Sequence, residues 1–226
     1  MNDRISAAGS AETTDDIPAL VRAWVEGWVV SRAAAPPVVE PWGFTVEVGL
    51  AKQVRRHVLP FADEAVLRKL VETAAPHTWL KVFAAEDDLR ALLAPGWRFD
   101  DAGYLMSIPL TPAEVRVPDG YRVASWTHGG LTKVVVTTTG DGELAARGQI
   151  GVPAPGAPAV ADQIETVPGH QRRGLGSVVM RSLQNAACES GSRLAVLGAT
   201  DDGQALYGHL GWTTHAPLTG ILFDGA

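Results

Sequence analysis

The chain has 226 residues, of which 46% are hydrophobic and 19% charged. This composition excludes a disordered, collagen-like or coiled-coil protein and provides enough apolar residues for a buried core. The net charge of −6 comes without a basic excess in either half of the chain, so the balance argues against nucleic-acid binding.

The first half of the chain has the pattern of a small α/β domain. We expect residues 1–15 to form a mobile tail, followed by a helix over residues 18–31 in which Leu20, Trp24 and Trp28 share an apolar face. Further elements are predicted from alternation, helical spacing and turn residues. They are strands at 42–50, 54–59 and 79–83, helices at 63–74 and 86–93, and a hairpin over 96–110 with its turn near 100–103.

The second half also alternates strands with helices. Strands are predicted at 121–126, 133–139, 143–152, 159–167, 193–198 and from 212 onward, and helices at 176–190 and 202–210. This order predicts an α/β or α+β fold with helices on both faces of a sheet. We place a smaller N-terminal α/β domain at 16–112 and a second domain at 113–226.

A weak internal similarity links the two predicted domains. The sequence Ala-Leu-Leu precedes Gly96-Trp97 in the first half, and Ala-Leu-Tyr precedes Gly211-Trp212 in the second. The spacing differs by one residue. The similarity suggests that the first half is a degenerate copy of the second.

The most informative stretch is residues 164–177, IETVPGHQRRGLGS, in which a predicted strand leads through a glycine-rich turn into a helix. Gly174 and Gly176 have no Cβ, so backbone amides there can closely approach a bound group. A helix N-terminus is positively polarised, and Arg172 and Arg173 add charge at the same place. We interpret the turn as a local site for a phosphate or diphosphate.

Two other phosphate-binding motifs do not fit this turn. A Walker loop requires a lysine after its last glycine, and a dinucleotide-binding turn requires a third glycine where Val179 stands. The structural alternative is an ordinary strand–helix turn with surface arginines.

Gln171-x-x-Gly174-x-Gly176, after a strand and before a helix, resembles the acyl-CoA motif (Q/R)xxGx(G/A) of the GNAT superfamily of N-acetyltransferases. Residues 206–212, LYGHLGW, resemble the superfamily's late helix motif L-Y-x-x-x-G-(F/W), and the spacing between the two segments agrees. The resemblance covers about residues 121–218. It implies a mixed, mostly antiparallel central sheet with flanking helices, and acetyl-CoA as acyl donor.

The resemblance also implies roles for individual residues. The implied mechanism has a backbone amide at the end of the 159–167 strand polarising the thioester carbonyl. Glu165 is a candidate base for the amine, unless it faces solvent or pairs with an arginine. Tyr207 matches the tyrosine that protonates the departing thiolate, with a core tyrosine as the alternative. The residues expected to contact acetyl-CoA are Thr166, Val167, Gln171, Arg172, Arg173, Gly174, Leu175, Gly176, Ser177 and Thr200.

The sequence departs from the superfamily pattern in two places. Thr200 and Gly203 replace the usual Asn and Ala beside the pantetheine arm. Only six residues, 127–132, separate the first two strands of the second half, which leaves no room for the helices that usually shape the acceptor pocket. We expect the first half to pack there and to supply the acceptor wall.

These observations predict an N-acyltransferase that moves an acetyl group from acetyl-CoA to a primary amine on a small molecule or peptide. The alternative is a non-catalytic acyl-CoA-binding sensor or interaction module on the same fold. No histidine pair has a third partner at metal-ligand spacing, so no metal is assigned. A homodimer is left open.

The compartment follows from what the chain lacks. The single cysteine, Cys188, allows no internal disulfide and suits a reducing compartment. No apolar run reaches the about 18 residues that span a bilayer, and the N-terminus has no apolar core segment typical of a secretory signal. We therefore expect a cytoplasmic protein without a membrane partner.

Overall fold

The computed structural model of the protein describes residues 16–225. The helices are α1 (Ile17–Arg32), α2 (Glu64–Thr73), α3 (Glu86–Leu89), α4 (Leu175–Glu189) and α5 (Asp201–His209), with short 3-10 turns at Arg90–Leu92 and Pro168–His170. The strands are β1 (Val38–Glu40), β2 (Gly43–Leu50), β3 (Gln53–Leu59), β4 (Thr78–Val82), β5 (Trp97–Phe99), β6 (Gly103–Pro109), β7 (Tyr121–His128), β8 (Leu131–Thr138), β9 (Leu144–Gly151), β10 (Ala159–Thr166), β11 (Leu194–Thr200) and β12 (Thr213–Phe223). The predicted tail at 1–15 lies outside the described residues.

The strands of residues 16–225 form one sheet in the order β1-β2-β3-β4-β12-β6-β11-β10-β9-β8-β7, with β5 also on β12. Two neighbouring pairs are parallel, β3 with β4 and β10 with β11, and the others are antiparallel. Each parallel pair is connected through a helix, α2 or α4, as parallel strands require. The predicted mixed, mostly antiparallel sheet with flanking helices is confirmed.

The two halves of the chain exchange strands at the centre of the sheet. β12, from the second half, lies between β4 and β6 of the first half, and β6 lies between β12 and β11. The hydrogen-bonded sheet therefore runs without a break from the first half of the chain into the second. The division into domains at that residue, and the origin of the first half as a degenerate copy, stay predictions.

The predicted hairpin over 96–110 is wrong. In the described chain, β5 and β6 pair not with each other but both with β12, in the same direction, through Phe99↔Ile221 and Gly103↔Leu218. The Asp100 amide donates to the Gly220 carbonyl at 2.9 Å, so the chain bulges there without reversing. The 11-residue strand β12 hydrogen-bonds to both segments, and these bonds replace those of a local hairpin.

Helix α1 covers one face of the sheet and contacts both halves. Asp16 caps it by accepting a hydrogen bond from the Ala19 amide at 3.2 Å. Its buried side chains, Leu20, Val21, Trp24, Val25, Trp28 and Val29, pack with Phe44 and Val58 from the first half and with Val160 and Val196 from the second. α1 thus lies over the sheet of the second half.

The opposite face is covered by helices from each half. α4 packs on β8, β9 and β10, and its buried Val179 and Leu183 belong to a core cluster with Val134 and Ile150. In the first half, α2 covers a second cluster, and Asp63 caps it by accepting from the Val66 amide at 3.0 Å. Within residues 16–225, no helix is both long and apolar enough to cross a membrane.

Candidate acyl-CoA site

The sheet opens where β10 separates from β11. Across the described chain these strands pair only at Ala159↔Ala195 and Val160↔Val196. The register of β10 against β9 then shifts between Asp162 and Glu165. This bulge keeps β10 on β9 and turns it away from β11, because a bulge bends the strand that carries it.

A cleft of about 790 Å³ occupies this opening, between the N-termini of α4 and α5. Its lining comes from the end of β10, the glycine-rich turn, the start of α4 and helix α5. The lining residues are Ile164, Thr166, Gln171, Arg172, Gly174, Leu175, Gly176, Ser177, Thr200, Asp201, Asp202, Gly203, Ala205, Leu206 and Tyr207.

The N-terminus of α4 faces the cleft. Its N-cap residue, Gly174, has a φ of 78°, and among residues 16–225 no side chain hydrogen-bonds at this cap. A Cβ on Gly174 would meet no described atom within 4 Å, so the backbone angle and not crowding requires glycine here. Arg172 lines the same cleft. Free amides, the helix dipole and a guanidinium together favour an anion.

Most of the predicted donor-site residues line the cleft together. They are Thr166, Gln171, Arg172, Gly174, Leu175, Gly176, Ser177 and Thr200. Thr200 has a structural task as well, because its hydroxyl caps α5 by accepting from the Gly203 amide at 3.2 Å.

Two predicted donor-site residues lie outside the cleft. The Arg173 Nη1 atom donates to the Tyr121 hydroxyl at 2.8 Å, and that hydroxyl also lies 3.0 Å from His170 Nδ1. The Val167 amide donates to the Ala145 carbonyl of β9 at 2.9 Å. Adjacent arginines in a turn point in different directions, which only the folded backbone determines.

The backbone donor at the opening is the amide of Thr166. Successive amides of a strand point to opposite sides. Since the Val167 amide points to β9, the Thr166 amide points to the side that β11 has left. The Thr166 carbonyl on the same side accepts from Gln171 Nε2 at 3.4 Å.

Glu165 is held in an ion pair. Its carboxylate accepts from Arg147 Nε and Nη2 at 2.8 and 2.7 Å, and both side chains are about half exposed. Arg147 lies two residues before Gln149, whose amide reaches the Ser31 carbonyl of α1, so the pair lies on the α1 side of the sheet. Of the two readings left open for Glu165, the structure shows the pairing with an arginine.

Tyr207 lies on α5, lines the cleft and is 8% exposed. Burial, and to a lesser extent the charge of Asp162, raise the pKa of its phenol to about 12. The Trp212 ring packs beside it, with 5.9 Å between centroids. The phenol therefore stays protonated at neutral pH and can donate a proton.

Sequence reasoning missed the acidic residues of this region. Asp162 lies at the bulge, where its carboxylate accepts from Ser31 Oγ at 2.8 Å and from both Arg32 Nε and Nη2. Asp201 and Asp202 line the cleft at the start of α5. An acid in the otherwise apolar start of β10 was the available signal for Asp162, but its partners lie 130 residues earlier in the chain.

No protein-family model and no curated protein matches this sequence. Solved structures do match. A GCN5-related N-acetyltransferase from Kribbella flavida superposes with a TM-score of 0.66 at 20% identity, over 95% of this chain and 98% of that one. A putative acetyltransferase from the GNAT family of Novosphingobium aromaticivorans superposes with a TM-score of 0.56 at 18% identity, over 92% and 99%.

A third match has a tandem arrangement in its name. A tandem GNAT protein from the clavulanic acid biosynthesis pathway superposes with a TM-score of 0.51 at 14% identity, over 66% of this chain and 64% of that one. These likenesses define the class: the protein has the fold of the GNAT N-acetyltransferases. The resemblance predicted from the two sequence motifs is confirmed at the level of fold.

Proposed function

We propose that this protein is an N-acyltransferase that moves an acetyl group from acetyl-CoA to a primary amine by direct attack. The observation that carries the proposal is the uncapped N-terminus of α4 at the opening of the sheet, with Tyr207 in the same cleft. An anion site and a proton donor in one cleft suit a thioester with a diphosphate at its far end.

The residues present fit such a donor. The first-turn amides of α4 and the Arg172 guanidinium would hold the diphosphate. The cleft between the diverging strands would take the pantetheine arm, and the Thr166 amide would donate to the thioester carbonyl. That donor stabilises negative charge as it develops on the carbonyl oxygen.

Two proton transfers are needed, and they take place on opposite sides of the sheet. Tyr207 gives its proton to the departing thiolate, which a phenol that is protonated at neutral pH can do. The amine loses its proton on the α1 side. Glu165 can accept it there only after it releases Arg147, and solvent at the exposed face is the other acceptor.

Acetyl-CoA binding tests the proposal directly. We expect near-millimolar acetyl-CoA to raise the melting temperature of the full chain, because a ligand that binds only the folded state stabilises it. Arg172→Ala should weaken binding by about tenfold, since it removes one charge-assisted contact. Arg181→Ala is the matched control, because Arg181 lies on α4 away from the cleft and donates to the Glu114 carbonyl.

An amine panel then separates an enzyme from a binding module. Release of free CoA thiol in the presence of an amine supports the transferase. Stabilisation by acetyl-CoA with no thiol release from any amine would favour the non-catalytic module. No stabilisation at all would remove the basis of both.

A further inference from the structure

Arg56 is a buried cation that forms no ion pair with any of the described residues 16–225. It lies on β3 and is only 7% exposed. Its guanidinium carbon lies 3.9 Å from the centroid of the Trp28 ring of α1. Its Nε atom is buried, and nothing in residues 16–225 accepts a hydrogen bond from it. A buried charge left in this state is costly, and a bound anion is one arrangement that would offset the cost.

The acids near Arg56 are already engaged by other bases. Asp162 is held by Arg32 through both carboxylate oxygens. Asp100 accepts from Lys81 Nζ at 3.0 Å. Asp162 and Asp100 are thus paired with Arg32 and Lys81. Arg56 is the remaining positive charge among these five side chains.

The surroundings of Arg56 disfavour the charged form of its guanidinium. Burial first, and then the neighbouring Arg32, lower the pKa of the Arg56 guanidinium to about 9, while Asp162 and Asp100 oppose the shift. Arg32 approaches the same Trp28 ring, with its guanidinium carbon 5.7 Å from the centroid. A bound anion would offset both the desolvation and the repulsion.

Arg56 lies on the side of the sheet where an acceptor would enter. Trp28 and Arg32 are one turn apart on α1. Arg32 donates hydrogen bonds to Asp162 at the bulge where β10 separates from β11. On β11, Gly198 is exposed to solvent and faces α1, since its added Cβ would be 3.6 Å from Trp24 Nε1. The diphosphate cradle of α4 lies on the opposite side of the sheet.

We propose that Arg56 binds the carboxylate of the acceptor, so that the substrate class of the transferase is an amine that also carries a carboxylate, such as an amino acid. This inference rests on the proposed function and adds the acceptor to it. The N–H groups along the edge of the guanidinium suit a planar carboxylate. One face of the guanidinium packs on the Trp28 ring and holds it in place.

The charge balance of the region suits one carboxylate better than a phosphate. The bases Arg32, Arg56 and Lys81 exceed the acids Asp100 and Asp162 by one positive charge. A single carboxylate would neutralise that excess, whereas a doubly charged phosphate would leave a negative charge in a partly buried place.

The test compares amino acids with their α-carboxamides, pair by pair, as acceptors for the full-length protein. We expect kcat/KM to favour the acid of each pair by at least about tenfold. In Arg56→Met this preference should disappear through a raised KM for the acids, while the carboxamides stay within about threefold of wild type. Arg56→Lys should retain part of the preference, because it keeps the charge but not the fork.

Two further measurements make the outcome decisive. Arg56→Met should melt at the wild-type temperature or above it, because it removes an unpaired buried charge; a large loss of stability would indicate a structural cation–π role instead. Calorimetric titration of an amino acid in the presence of CoA should show binding to wild type and none to Arg56→Met.

The possible failures are distinguishable. If acetyl-CoA does not stabilise the wild-type protein, the proposed function and this inference both fail. If acetyl-CoA binds and amines are acetylated, but carboxamides react as well as acids, only the role of Arg56 is overturned. An equal loss for acids and carboxamides in Arg56→Met would overturn it too.

Discussion

Tyr207 belongs to a core cluster and also lines the cleft. Its ring packs against Trp212, and its environment raises the pKa of its phenol to about 12. The two sequence readings, core tyrosine and acid, are therefore compatible. Burial keeps the proton on the oxygen, and under the proposed function that proton would pass to the departing thiolate.

Tyr207→Phe should lower kcat for amine acetylation on the order of 10²-fold, because a positioned general acid contributes about this much. The KM for acetyl-CoA should change little. Steady-state assays of thiol release measure both. A variant with unchanged kcat would show that Tyr207 is only a core residue.

The same substitution has a signature in alkaline pH titration. The phenol ionises near pH 10 in an unfolded chain and near 12 in the folded one, so the folded state holds its proton longer. Stability should therefore fall as pH rises from about 10 to 12, and less steeply in Tyr207→Phe. Denaturant unfolding at several alkaline pH values measures this slope.

Other residues of the site could not be assigned from sequence. Arg172 and Arg173 are adjacent and chemically identical, but one lines the cleft and the other bonds Tyr121. Asp162 and Arg56 come near each other because both contact side chains of α1. Charge type and motif position identify candidates, and the direction of each side chain comes from the folded backbone.

At the scale of elements, the contact between α1 and the sheet depends on two glycines. An added Cβ on Gly27 would lie 2.4 Å from Val160 Cγ2, and one on Gly151 would lie 2.4 Å from the Gly27 carbonyl oxygen. The helix can therefore approach β9 and β10 more closely than side chains normally permit. This approach brings Ser31 and Arg32 to Asp162.

Gly27→Ala should destabilise the protein by about 1–3 kcal/mol, although alanine is the better helix former, because the new methyl group overpacks the interface. The matched control is Gly208→Ala on α5, where an added Cβ meets nothing within 4 Å of the described atoms. It should be neutral or slightly stabilising. Urea unfolding measures both variants.

Adding Val160→Ala should partly restore Gly27→Ala, since the two positions share one contact. If Gly27→Ala proves as stable as wild type, the close packing of α1 on β10 is not present in solution.

At the scale of the whole molecule, the sheet is continuous because the halves exchange their last strands. β6 separates β11 from β12, and β12 in turn separates β6 from β4. A chain of residues 113–226 lacks β6, so β11 and β12 lose their common neighbour. It also lacks α1, which exposes the apolar face that includes Val160 and Val196.

We therefore expect the fragment 113–226 to be insoluble or unfolded and inactive, because it exposes strand edges and core surface together. Supplying residues 1–112 as a separate chain in the same cells should recover soluble protein. Circular dichroism and cooperative thermal unfolding provide the readout. A fragment that unfolds cooperatively and acetylates amines by itself would show that the second half is an independent domain.

The sequence by itself determined the local features of this protein. Helix caps such as Asp63, the alternating strands, the glycine-rich turn at Gly174 and the late helix with Tyr207 all follow from residues close together in the chain. These patterns also carried the resemblance that the fold confirms.

The tertiary structure alone decided how distant segments meet. The pairing of β6 with β12 and the approach of Arg32 to Asp162 depend on contacts across more than 100 residues. The bulge that turns β10 away from β11 and the contact of Arg56 with Trp28 span fewer residues but also join separate elements. Local propensity cannot encode such contacts, because the free energy that selects them comes from burying both segments at once.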